Sequence, residues 1–164
     1  MTLSFVKGQP RSNGSLIVVN LWGFNLYDEV PKMQVLWQIT LVSLGSAFGG
    51  LTRWTVTLLS VRFFGRELPW GTLIINLSGS FFLGWFMTWI GKHVQAEENA
   101  LLKAEDLRLL IAVGFTGAYT TFSTYEYESN ALLEKGQTGP ALVYLCASMV
   151  LGLLAVRAGI WFGK

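Results

Sequence analysis

The sequence predicts an all-α integral membrane protein of four transmembrane helices, on three observations. The 164 residues are 52% hydrophobic and 13% charged, with mean hydropathy +0.46, too apolar and too poor in charge for an ordinary soluble domain. Four charge-free stretches reach or approach the roughly 20 apolar residues that cross a hydrocarbon core as a helix. The polar residues within them are few and fall in regular places.

Composition also excludes. The net charge of +2 comes from basic residues dispersed singly, so no stripe for nucleic acid forms. Cys146 is the only cysteine and His93 the only histidine, which leaves no internal disulfide, no metal cluster and no nucleophile paired with a base. The chain is therefore not read as an enzyme.

Residues 1–32 contain Gly8, Pro10, Asn13, Gly14, Asn25, Asp28 and Pro31, and one apolar patch at 16–21 that is too short to span. The segment lacks the basic start and small-residue cleavage site of a signal peptide. It is expected to be an N-terminal extension, either a disordered or interfacial tail or an upstream over-extension of the reading frame before Met33. The membrane domain is then 33–164, with spans at about 33–57, 68–91, 108–130 and 138–160.

The first span rests on 20 uncharged positions, 33–52, running into Arg53. The second rests on 24, at 68–91, between Glu67 and Lys92. The fourth rests on 21, at 136–156, before Arg157. The third run, 109–125, has only 17, and it holds Gly114, Gly117, Thr120, Thr121, Ser123 and Thr124, poor choices for a helix facing lipid. Two readings stay open: a continuous helix whose hydroxyls bond back to their own turn, or a broken one. Irregular backbone at membrane depth is tolerated only where protein buries it or an ion or water path meets it, so a break would mark function.

Orientation is nearly balanced. With four spans both termini share a side, which carries Lys92, Lys103, Arg108 and Lys164 against Arg62, Arg66 and Lys135 opposite. Such a small positive-inside bias would let the chain insert either way and let opposed copies pair. Small residues four apart would allow close packing: Gly45 with Gly49, Ser80 with Gly84, Ser148 with Gly152, Ala155 with Gly159.

In the second span Thr72, Asn76 and Ser80 form one polar stripe. Leaving the Asn76 amide unpaired in hydrocarbon would cost several kcal/mol, so the stripe faces either a partner helix or a pore. Arg53 either snorkels to the surface or stays inward as a fixed positive charge. Phe122 and Tyr125, three apart, share a face of a local helix. Their positive ring edges would suit a small anion, though packing or lipid contact would use the same spacing. Glu126 and Glu128 mark either a mouth or the end of the hydrocarbon.

The segments GGLTRW (49–54), GTLIINLSGSFFLG (71–84) and GFTGAYTTFST (114–124) resemble the three signature segments of the CrcB/Fluc family of fluoride channels. The resemblance covers about 33–164. It implies an antiparallel dual-topology homodimer in a bacterial inner membrane, with the third helix broken, two fluoride pathways, passive exit of the anion, and a structural Na+ at the dimer interface. By the same resemblance Asn76 lines the pore, Arg53 stands at the wide vestibule, and the Phe122 and Tyr125 rings line the path. Gly117 and Thr120 would offer carbonyls to sodium, and Ser80, Ser123, Thr124 and Ser148 would line the polar track. Tyr125 stands where a second Phe is expected, Ala118 and Tyr119 replace Gly and Leu, and Glu126 replaces Ser.

Two other classes compete. A small proton-coupled multidrug exporter would resemble a family that needs a buried Glu in the first helix, and 33–52 contain no Asp or Glu. A structural membrane subunit needs only packing faces, which would leave the Asn76 stripe and the hydroxyl run without a task.

Overall fold

The structure, a computed structural model, describes residues 32–94 and 103–164. The expected N-terminal extension, but for Lys32, lies outside them. All the regular structure among the described residues is helical. Helix α1 is Lys32–Phe64 and α2 is Trp70–His93. Helix α3 runs through Ala104–Leu107, a wide π-helical stretch Arg108–Thr116, and Gly117–Tyr119. Helix α4 is Phe122–Glu134 and α5 is Thr138–Phe162.

Helix α1 contains no proline and no acidic residue, so nothing stops it near residue 57 and it continues to Phe64. It ends at Gly65, whose φ of 77° closes the helix through an N–H bond to Val61 O at 3.1 Å. Pro69 then precedes α2, where a missing N–H costs nothing. The turn into α5 repeats the device with Gly136, at φ 73° and 2.9 Å from Leu133 O.

Three helices, Met33–Phe64, Trp70–His93 and Thr138–Phe162, are long and apolar enough to cross a membrane. Their outer faces carry large exposed apolar side chains, among them Phe48, Trp54, Met149 and Leu153, as a lipid solvent requires. The protein is a multi-pass membrane protein.

Packing pairs α1 with α3 and α2 with α5. Glycines set both crossings. A Cβ on Gly45 would fall onto the Leu110 carbonyl, and one on Gly49 onto that of Phe115. Between α2 and α5, a Cβ on Gly84 would meet the Val156 carbonyl, and one on Gly159 that of Phe81. The small residues predicted from spacing thus serve packing within one chain at four of their positions. Gly152 departs from the expectation, since a Cβ there meets nothing within 4 Å. In the wide part of α3, Thr116 Oγ1 donates to Ile111 O, five residues back, at 3.0 Å.

The ends are tied by polar contacts. Trp37 Nε1 donates to Asp106 Oδ1 at 3.1 Å, joining the starts of α1 and α3, and Lys92 Nζ donates to the Lys164 carbonyl, joining the ends of α2 and α5. One apolar cluster forms around Phe86, Ile90 and Ala112, and a second around Tyr125, Leu132, Ala141 and Tyr144.

Candidate functional site

Regular bonding in α3 ends with Thr120, whose N–H and Oγ1 both donate to Thr116 O, at 3.0 and 2.9 Å. Thr120 (φ −81°, ψ 160°) and Thr121 (φ −152°, ψ 123°) are then extended, and α4 starts at Phe122. Two extended residues between helices leave main-chain donors and acceptors without helical partners, a state that must be answered inside a membrane.

Asn76 of α2 answers it. Its Oδ1 accepts the Thr121 N–H at 2.8 Å and its Nδ2 donates to Thr121 O at 2.9 Å, so the side-chain amide pairs with both main-chain groups of one residue. Thr121 in turn caps α4, its Oγ1 accepting the Thr124 N–H at 3.2 Å and donating to Thr124 Oγ1 at 2.9 Å. Asn76 therefore points inward, but the oxygen and one N–H of its amide are spent on backbone. One amide N–H stays uncommitted.

Beside this pairing lies a cleft of about 260 Å³ lined by Asn76, Gly79, Ser80, Thr120, Thr121 and Phe122, with Leu83, Thr116 and Val156 completing the wall. Of the residues singled out from the sequence, the cleft brings together Asn76, Ser80, Thr120 and Phe122. Phe122 is 69% exposed there.

The others lie apart from it. Arg53 is half-buried on α1, and Ser123 and Thr124 are exposed in the first turn of α4. Gly117 sits in the last turn of α3, and Ser148 Oγ is buried on α5 with no hydrogen-bond partner. Tyr125 is 6% exposed, its ring 5.8 Å from that of Phe122 and 5.3 Å from that of Tyr144. Its hydroxyl donates to Leu145 O at 3.0 Å. The extra oxygen, compared with the expected Phe, is thus turned toward α5 and used up. Tyr125→Phe should lower stability only by the loss of one neutral hydrogen bond, about 0.5–1.5 kcal/mol, as the thermal unfolding midpoint would register. Tyr119 behaves alike: its hydroxyl meets Ser78 Oγ at 2.8 Å.

A second polar group was not assigned from the sequence. Glu128 of α4 accepts the Thr72 hydroxyl on Oε1 at 2.9 Å and the Tyr144 hydroxyl on Oε2 at 3.0 Å, which satisfies a half-buried carboxylate from two neighbouring helices. Thr72 and Glu128 line another cleft, of about 200 Å³, whose wall includes Arg66, Glu67 and Lys135. The usable signal for Tyr144 was a lone phenol in an apolar span, which must find a partner for its hydroxyl. The two clefts follow one another along α2, and the pairs Asn76 with Thr121 and Thr72 with Glu128 make a polar seam between α2 and the segment from Thr121 into α4.

Known proteins resemble this chain over most of its length. The family model described as CrcB-like protein, Camphor Resistance (CrcB), matches residues 40–160. The chain is 40% identical over 132 residues to the "Fluoride-specific ion channel FluC" of Acidobacterium capsulatum, covering 80% of this chain and 97% of that one. It is 43% identical over 123 residues to the protein of the same description from Synechococcus sp., covering 75% and 89%. The counterpart from Agrobacterium fabrum is 34% identical over 126 residues, covering 77% and 95%.

Proposed function

This chain belongs to the CrcB family, and from that premise we propose that it is a fluoride channel through which the anion leaves the cell down its electrochemical gradient. The observation that carries the reading at the level of residues is the cleft that Asn76, with one amide N–H uncommitted, lines together with Ser80, Thr120 and Phe122. Fluoride holds its water tightly, so a path for it must offer small donors in place of that water. The uncommitted N–H of the Asn76 amide and the hydroxyl of Ser80 are such donors. The edge of the Phe122 ring presents partial positive charge to whatever part of the ion they leave bare.

Beyond the cleft the seam passes the Tyr125 and Tyr144 rings and reaches Thr72 and Glu128. Glu128 draws the Thr72 and Tyr144 hydroxyl protons to itself and so sets where those two oxygens stand. In this reading Arg53 attracts anions at the wide vestibule, and Ser123, Thr124 and Ser148 supply further hydroxyls along the track. Helices α3 and α4 together make the third span, interrupted at Thr120 and Thr121, which completes four spans over 33–164 in a bacterial inner membrane. Two copies pair in opposite orientations, a pairing that the nearly even basic charge of the two ends permits.

Structural Na+ fits the residues present. The N–H that would close the next helical turn onto Gly117 O is that of Thr121, and it is given to Asn76 instead. The Gly117 carbonyl is thereby freed from its helical donor, and with the extended Thr120 it offers hard oxygens of the kind sodium prefers. When bound, the ion supplies positive charge that holds the interrupted segments together. Each copy would contribute the carbonyls of Gly117 and Thr120.

No described feature favours the exporter reading, since α1 contains no Asp or Glu over its whole length. Fluoride efflux from liposomes containing the purified protein, followed with an electrode, tests the function. Rapid efflux that is indifferent to chloride is expected. Retention of fluoride by well-folded protein would reject the channel.

A further inference from the structure

We propose that Asn76 is a positioning residue for the cation site as well as a wall of the anion cleft, so that sodium binding and the geometry of the fluoride path depend on the same amide. The inference rests on the reading of Gly117 and Thr120 as sodium ligands. Three contacts carry it. Thr120 N–H is the last donor of α3 to bond in the helical way, onto Thr116 O at 3.0 Å. The next donor, Thr121 N–H, is captured by Asn76 Oδ1 at 2.8 Å, and Asn76 Nδ2 holds Thr121 O at 2.9 Å.

Without that capture the Thr121 N–H would have an obvious acceptor, the Gly117 carbonyl one helical turn back, and α3 would wind on by a residue. Closing that bond would occupy the Gly117 oxygen and draw Thr120 out of its extended conformation. Both proposed ligands would be lost together. The Asn76 amide thus keeps the interruption open by holding both main-chain groups of Thr121. It does so with two of its hydrogen-bonding groups, and the same residue lines the 260 Å³ cleft. A cation on the carbonyls would in turn favour the conformation in which Thr121 faces Asn76, because the two sites share one backbone state.

The roles of the two amide contacts are separable. Asn76→Asp keeps an oxygen to accept the Thr121 N–H and loses the donor to Thr121 O. Asn76→Ser is too short to keep either. Ser80→Ala alters the same cleft without touching Thr121, and so serves as the comparison for a purely anionic defect.

The experiment is thermal unfolding of the full chain in detergent, without fluoride, as sodium chloride replaces N-methylglucamine chloride at constant ionic strength. The parent midpoint should rise with sodium. Asn76→Ser should need at least about tenfold more sodium for the same rise, a loss of about 1.4 kcal/mol in coupling. Asn76→Asp should stay within about threefold of the parent, and Ser80→Ala should respond as the parent does. In the parent itself, hydrogen exchange at the Thr121 amide should slow by at least about threefold when sodium is added, a measurement that does not depend on any variant folding. A parent that responds to sodium while Asn76→Ser responds equally overturns the inference and leaves the sodium reading intact. A parent with no sodium response in either measurement overturns both, while its fluoride efflux still judges the channel separately.

Discussion

Replacing Gly49 with valine is expected to leave no folded protein to extract from the membrane. At this position α1 lies on α3 with backbone against backbone: an added Cβ would overlap the Phe115 carbonyl oxygen and come within 2.9 Å of its carbon and 3.1 Å of its Cα. None of these atoms can rotate away, as a flexible side chain would. The helices must separate along the crossing, and Gly45, Gly114 and Leu110 share it. Helices in lipid are held mainly by close van der Waals packing, so separation removes what joins them. Ordinary overpacking costs about 1–3 kcal/mol, and a backbone-to-backbone clash lies at or beyond the upper end. The check is the yield of monodisperse protein and its unfolding midpoint, with Gly152→Ala as the companion expected to match the parent, since that site is open. A Gly49→Val protein with the parent's midpoint would show that the crossing is looser than its geometry requires.

Glu128→Ala should slow fluoride passage by about tenfold or more while leaving some folded protein. Its carboxylate is the common acceptor for Thr72 and Tyr144, which are 5% and 7% exposed, so its removal orphans two buried hydroxyls on different helices. Each orphan costs about 1–3 kcal/mol. Half of that felt along the seam would slow passage by about tenfold or more. Glu128→Gln retains an oxygen for one hydroxyl and an N–H that the other can receive, so it should recover most of the lost rate and stability. Efflux and unfolding midpoints of the two variants decide the matter, and alanine passing fluoride at the parental rate would remove Glu128 from the path.

The difference between what was legible and what was not follows these same residues. Being a membrane protein was legible because crossing hydrocarbon is a local demand, met or failed by about 20 consecutive side chains. Three of the four runs appear as single long helices for that reason. The third run was marked as unusual by its glycines and hydroxyls, and its residues are divided between α3 and α4. Asn76 was legible as an inward polar residue, because an amide in an apolar helix must find partners.

Which partners it found was not legible. A partner helix and a pore were both open to Asn76, and one of its donors and its oxygen hold Thr121, 45 residues away. Glu128 was visible as a charge at the edge of an uncharged run, but its acceptance of Thr72 from 56 residues away and Tyr144 from 16 decides what it does. Tyr125 was visible as a departure from an expected Phe, but where its hydroxyl goes was not, and the structure turns it onto Leu145 O. The glycines read as offering faces to a second copy, and four of them are filled by the chain's own helices.

The sequence by itself determined that this chain lives in a membrane, roughly where its long helices lie, and which residues cannot face lipid, because each of these depends on side chains within one or two turns of each other. Only the tertiary structure decided how those polar residues are shared out. A hydrogen bond forms or fails within a few tenths of an ångström, and the rotation and height of α2 against α4 and α5, set by glycine crossings far along the chain, choose which atoms come that close.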